Sequence, residues 1–109
     1  MKLKELRDLL LSTGIPVYHY IAKDVTGNYI VWAEERQGDT EYADDKILYQ
    51  GIEGRIFYYT QTEFDPAFDL IQEKLNSGDL SWKLEQISYD EETSYIIYEW
   101  IFEVTNCFS

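Results

Sequence analysis

Apolar and polar positions along this chain follow two periods, one of a helix and one of a strand. Leu3, Leu6 and Leu10 recur at helical spacing over Lys2 to Ser12, with Leu9 beside them and Lys4, Glu5, Arg7 and Asp8 turned to water. Gly14 closes that helix and Pro16 prevents its resumption. From Val17 to Ile21 the period becomes two. Val17, His19 and Ile21 share one face, and Tyr18 and Tyr20 share the other. Thr26-Gly27-Asn28 is turn chemistry, and Tyr29 to Glu34 is a second strand, expected to pair with the first as a hairpin.

Glu35 to Lys46 has no period. Its polar, acidic run Arg36-Gln37-Gly38-Asp39-Thr40-Glu41-Tyr42-Ala43-Asp44-Asp45 predicts a protruding acidic loop over 35–46, mobile in the free subunit and ordered only on assembly. Ile47 to Tyr59 is a long third strand. In it Ile52, Gly54, Ile56 and Tyr58 alternate with Glu53, Arg55, Phe57 and Tyr59, and Gly51 and Gly54 mark a bulge or a close backbone approach.

A second helix follows. Asp65 is its N-cap, Pro66 takes the first helical position, and Ala67, Ile71 and Leu75 form an apolar stripe beside Phe68. Asn76-Ser77-Gly78 is the stop, with Gly78 expected in the left-handed conformation. Trp82 to Tyr89 and Tyr95 to Val104 are the fourth and fifth strands, joined through Asp90-Glu91-Glu92-Thr93-Ser94. The fifth is nearly apolar in character on both faces, Ile96, Tyr98, Trp100, Phe102 and Val104 on one and Tyr95, Ile97, Glu99, Ile101 and Glu103 on the other. That pattern belongs to an interior strand. A short tail, 105–109, ends the chain. The order α-β-β-β-α-β-β predicts a single α+β domain over 1–109, a two-layer sandwich of about five mostly antiparallel strands with two helices.

Composition changes this picture in two ways. Ten Tyr and three Trp make bulky, half-polar side chains a large part of the packing, as in β-rich domains and at protein interfaces. The formal charge of −12 disfavours wrapping by DNA or adhesion to anionic membranes, and it favours solubility or a basic partner. Cys107 is the only cysteine, so no disulfide forms within the chain, and a reducing compartment is favoured. Leu9-Leu10-Leu11 is too short for a signal peptide, and no apolar stretch approaches the roughly 20 residues of a membrane span.

Catalytic chemistry finds little footing. His19 is the only histidine and reads as a packed or hydrogen-bonded ring, because general base work needs a positioned partner. Cys107, in the tail, lacks the fixed electropositive setting of a reactive thiolate. No Cys/His set has zinc spacing, and Gly51-Ile52-Glu53-Gly54 lacks the Lys-Ser/Thr of a phosphate loop. Asp44-Asp45 and Asp90-Glu91-Glu92 lack the alternating ligands and glycine of a calcium loop and read as solvated acidic turns. No enzyme activity, cofactor or metal is expected.

Tyr58-Tyr59-Thr60, Phe64-Asp65-Pro66 and its helix, Tyr89-Asp90-Glu91-Glu92-Thr93, and Tyr98-Glu99-Trp100-Ile101-Phe102-Glu103-Val104 together resemble the tail terminator, or head–tail joining, proteins of long-tailed bacteriophages and prophages. The resemblance covers nearly the whole chain, and its motifs bear the fold rather than a reaction. It implies a homo-hexameric ring that caps the tail tube, stops its polymerisation and meets the head connector. Its partners would be the tail tube protein and the head completion protein, with DNA passing through unbound and no membrane involved. Its place would be the virion tail or head–tail interface, and the host cytoplasm during assembly. Candidate partner-facing or channel-facing residues are Glu35, Asp39, Glu41, Tyr42, Asp44, Asp45, Asp90, Glu91 and Glu92. The alternative is an acidic interaction module such as a DNA-mimic inhibitor, which needs carboxylates spaced like phosphates on one surface.

Overall fold

The computed structural model describes residues 1–107. Its elements are α1 (Leu3–Leu11), β1 (Val17–His19), β2 (Tyr29–Ala43), β3 (Lys46–Thr60), α2 (Ala67–Ser77), β4 (Ser81–Asp90) and β5 (Tyr95–Cys107). This is the α+β order that periodicity predicts, with five mostly antiparallel strands in one sheet. The strands lie in the order β1-β2-β3-β5-β4, so β5 is interior, as its doubly apolar pattern requires. β3 and β4 each run antiparallel to the β5 between them, and α2 makes the crossover that joins them.

The core forms on one side of the sheet. Ile30 and Trp32, Ile56 and Tyr58, and Trp100 and Phe102 are buried there from β2, β3 and β5. Leu6 and Leu10 of α1 and Ile71 and Leu75 of α2 complete the cluster. Strand alternation sends Val31, Phe57, Tyr59, Ile97 and Ile101 to the opposite face, where they are half-buried. No second layer covers that face among the described residues.

Four sequence expectations are corrected. β1 and β2 are parallel rather than a hairpin, pairing Val17 with Ile30 and His19 with Trp32. Positive φ at Tyr20 (72°) ends β1 before Ile21, and further positive φ at Asp24 and Gly27 turns the chain back. Because β1 is only three residues long, the loop 20–28 can carry the chain back to the same end. The expected loop 35–46 is instead a two-stranded arm. β2 and β3 stay paired to Ala43 and Lys46, and the turn places Asp44 and Asp45 at φ 52° and 63°. Both central residues of a type I′ hairpin need that left-handed region. The tail is not separate, since β5 continues through Thr105 to Cys107 against Tyr49–Gly51; residues 108 and 109 lie outside the described residues. Gly78 is extended (φ −89°) rather than left-handed. Its lack of a side chain serves packing, because a Cβ there would stand 2.7 Å from Leu80 and 2.9 Å from Leu9.

Bulges set which side chains reach the core. On β4, Leu84 pairs with Trp100 and Gln86 with Glu99, leaving Glu85 as the extra residue. The bulge shifts the phase, so Trp82, Leu84, Ile87 and Tyr89 all share the helix side, opposite Phe102, Trp100, Tyr98 and Ile96. Deleting Glu85 should therefore keep every pair and change stability by about 1 kcal/mol or less. Deleting Ser88 moves Tyr89 to the other face and should lower the urea midpoint clearly more than the Glu85 deletion. Equal midpoints for the two deletions would contradict this register.

Candidate assembly interface

The uncovered face of the sheet divides into an aromatic half and a charged half. In the aromatic half, Tyr29 stacks on Tyr59 with ring centres 4.7 Å apart. Tyr95 meets both rings edge-on at 5.9 and 6.1 Å, Tyr18 meets Tyr29 at 6.2 Å, and Phe57 adjoins Tyr59. These residues meet because β2, β3 and β5 set Tyr29 beside Tyr59 and Tyr59 beside Ile97. The Tyr95 hydroxyl donates to the Gly27 carbonyl at 2.9 Å, which ties the loop before β2 to this cluster. Burial pushes the Tyr29 and Tyr59 phenols up from their ordinary values, with the neighbouring phenols of Tyr59 and Tyr95 adding to it at Tyr29 and the Glu99 carboxylate adding to it at Tyr59.

The charged half runs towards the arm. Arg55 is held between Glu99 on β5 and Glu35 on β2, with its Nε 3.1 Å from Glu35. Arg36 pairs with Glu53 at 2.8 Å. Glu103 on β5 reaches across β3 and accepts the backbone N–H of Asp39 at 2.6 Å. Two glycines allow this reach. Gly51 lies between β2 and β5, Gly38 lies on β2, and a Cβ at either would collide with the Glu103 carboxylate. The arm is thus fastened at its root by a carboxylate rather than by a hydrophobic core.

Asp65 fastens the opposite end of the molecule. Its Oδ1 accepts the Ala67 N–H at 2.9 Å, and its Oδ2 accepts the hydroxyls of Tyr58 at 2.6 Å and Thr60 at 2.7 Å. The helix begins at Ala67 rather than Pro66, yet Asp65 still caps its first turn. Burial pushes the Asp65 carboxyl up, but the bonds from Tyr58, Ala67 and Thr60 outweigh it and hold the group below the ordinary aspartate value. The Tyr58 phenol is pushed up to about 12, first by burial and then by its bond to Asp65. Near the start of β2, His19 is stacked between Tyr20 and Trp32 at 3.8 and 4.0 Å, and its Nε2 donates to Glu34 at 2.8 Å. The histidine is stacked and hydrogen-bonded, with its side chain 40% exposed.

The nine residues singled out from sequence do not form one site. Glu35 and Asp39 lie at the root of the arm, while Glu41, Tyr42, Asp44 and Asp45 are exposed along it and at its tip. Asp90, Glu91 and Glu92 lie in the β4–β5 turn, at the far end of a body with extents of 52 × 24 × 22 Å. In that turn the Glu92 N–H donates to the Asp90 carboxylate at 3.0 Å. Sequence reading missed the aromatic half of the open face. The signal was present: β5 carries Tyr95, Ile97 and Ile101 on the face opposite its buried one, and two short helices can cover only one face.

Among the described residues no three His, Cys, Asp or Glu side chains form a group that could hold a metal ion. No helix among them is long and apolar enough to cross a membrane. No family model matches the chain, and no curated protein matches it.

Two pH windows follow from Asp65 and Tyr58. The depressed Asp65 contributes stability that is complete above its unfolded value of 3.8 and is lost as pH falls through its lower folded value. The raised Tyr58 contributes stability that is complete below 10 and is lost as pH rises from 10 through about 12. Asp65→Asn should cost about 1–3 kcal/mol at neutral pH, because Tyr58 and Thr60 lose their charged acceptor. Tyr58→Phe should remove the part of the alkaline loss due to this phenol. Chemical denaturation at stepped pH checks both, and an unchanged acid limb in Asp65→Asn would contradict the assignment.

Proposed function

We propose that this chain is a structural, non-catalytic subunit that assembles with copies of itself into a ring capping a phage or prophage tail tube. The ring would end tube growth and present a surface to the head connector. The observation that carries this reading is the uncovered sheet face, whose aromatic half gives way through a charged half to a two-stranded arm that projects from the body. Contiguous aromatic surface that no second layer covers marks an interaction site. An arm with little core of its own gains most when a neighbour lies against it. Two different patches, face and arm, suit the head-to-tail contacts that close into rings.

Charge supports the same reading. Carboxylates at the arm tip and the β4–β5 turn would repel DNA phosphates from whichever of these ends lines a channel. The DNA-mimic alternative has less support, because the carboxylates sit at opposite ends rather than along one surface.

The arm gives the direct test. Replacing residues 40–50 by Asn-Gly removes the paired segment beyond Asp39 and Gly51 while leaving the buried core residues in place. The shortened chain should fold, with an unfolding midpoint near that of the intact chain, and should stay monomeric by light scattering. The intact chain should form rings in negative-stain images, alone at high concentration or on tail tubes of the phage that encodes it. Rings from the shortened chain would refute the role of the arm. An intact chain that stays monomeric and fails to cap those tubes would refute the ring.

A further inference from the structure

We infer that the trough between α2 and β4 binds an extended, cationic segment of another polypeptide, which adds a strand to the outer edge of β4. Among the described residues β4 pairs with β5 alone, so its outer row of backbone donors and acceptors has no partner strand there. Such an edge is a template for strand addition. The bulge at Glu85 interrupts it, leaving Gln86–Asp90 as the regular stretch.

Beside that stretch the surface is apolar and open. Phe64, Phe68, Ile87, Ile96 and Tyr98 line a hollow of about 390 Å³. Ile87 is 54% exposed and Phe64 is 90% exposed. Phe64 is also held at φ 55°, in the left-handed region that is unfavourable for a non-glycine residue. A phenyl ring set in water on strained backbone gains nothing within this chain. Strain of this kind collects at sites that meet a ligand.

Charge identifies the occupant. Glu63, Asp65 and Asp69 rim the hollow, and Asp69 and Glu73 continue into a second one beside Trp82. No Lys or Arg lines either. Lys83 belongs to the other face, opposite Ile101. A segment with apolar residues at alternate positions would place them against Ile87 and Phe64, and its lysines or arginines would meet the carboxylates. A second copy of this chain does not fit. Beyond Trp32, its unpaired β2 edge carries Glu34, Glu35, Asp39 and Glu41 against the single cation Arg36, so acid would meet acid. This inference stands apart from the ring reading, because it uses neither the open face nor the arm.

The test uses a synthetic peptide alternating lysine with valine and isoleucine, and its counterpart with glutamate in place of lysine. Binding to the full chain is read at one fixed salt concentration by amide chemical shifts and Trp82 fluorescence. The lysine peptide should bind with shifts concentrated in β4 and α2, and the glutamate peptide should not bind. Ile87→Thr and Phe64→Ser leave the charge unchanged and should each weaken binding about tenfold, the equivalent of about 1.4 kcal/mol. The triple variant Glu41→Gln, Asp44→Asn, Asp45→Asn removes charge at the far end and should leave affinity within about twofold, since exposed charges beyond a Debye length are screened. Phe64→Gly relieves the left-handed strain, so it should raise the unfolding midpoint while weakening the peptide. Affinity that follows net charge alone, or that survives both Ile87→Thr and Phe64→Ser, would overturn the assignment. So would a backbone N-methylated peptide binding as well as the plain one.

Discussion

Helix length and strand length are mismatched in this chain, and most of its surface character follows from that. α1 has nine residues and α2 has eleven, which span about 14 and 17 Å. β2 and β3 have fifteen residues each, or about 50 Å of strand. Two such helices can cover only the middle of one face. Under them the core closes, with Trp100, Phe102, Tyr58, Ile56, Leu6 and Ile71 almost wholly buried. Beyond them the sheet must be held by other means. The arm is fastened by Glu103 through the gap at Gly38 and Gly51, and the margin of the core at the start of α2 by the Asp65 carboxylate between Tyr58, Thr60 and Ala67. Carboxylates therefore do inside this fold what apolar packing does where the helices reach.

The same mismatch explains the aromatic content. A bare face needs side chains that tolerate water at one end and pack at the other, and Tyr satisfies both. Tyr18, Tyr29, Tyr59 and Tyr95 pack against one another, edge-on or stacked, and so remove part of their own area from water without a covering layer. Arg55 lies between Glu35 and Glu99 at the border, where the aromatic half gives way to the charged one. A face built this way can stay exposed in a single chain and still offer a large contact area to another.

Sequence periodicity was most legible where burial imposes it. Leu3, Leu6 and Leu10, Ala67, Ile71 and Leu75, and the alternation in β5 all face the cluster under the helices, and each element is present close to its expected span. The arm was illegible for the complementary reason. With neither face buried, Arg36 to Ala43 has no need to alternate, and a paired strand there looks like a loop. Its turn, Asp44-Asp45, also lacks the glycine that usually announces a two-residue hairpin. The parallel β1 was hidden by its brevity, since three residues carry too little pattern to set a direction. For the candidate interface, the acidic residues were visible as composition but not as geometry. The aromatic face was implied by β5 alone, once the number of helices was counted against the number of apolar sheet faces.

The surfaces left unsatisfied lie on different sides of the molecule. The aromatic face and the arm belong to the side away from the helices and to one end of the long axis. The edge of β4, Ile87 and the strained Phe64 belong to the helix side and the other edge of the sheet. Contacts between copies through face and arm would leave the β4 edge accessible, and a strand added to β4 would leave the open face bare. The two kinds of contact can therefore coexist on one chain. Their chemistry also separates them. The first is aromatic, with Arg55 and Arg36 already paired to carboxylates within the chain. The second is apolar with an acidic rim and no cation of its own, so it selects a partner unlike this chain.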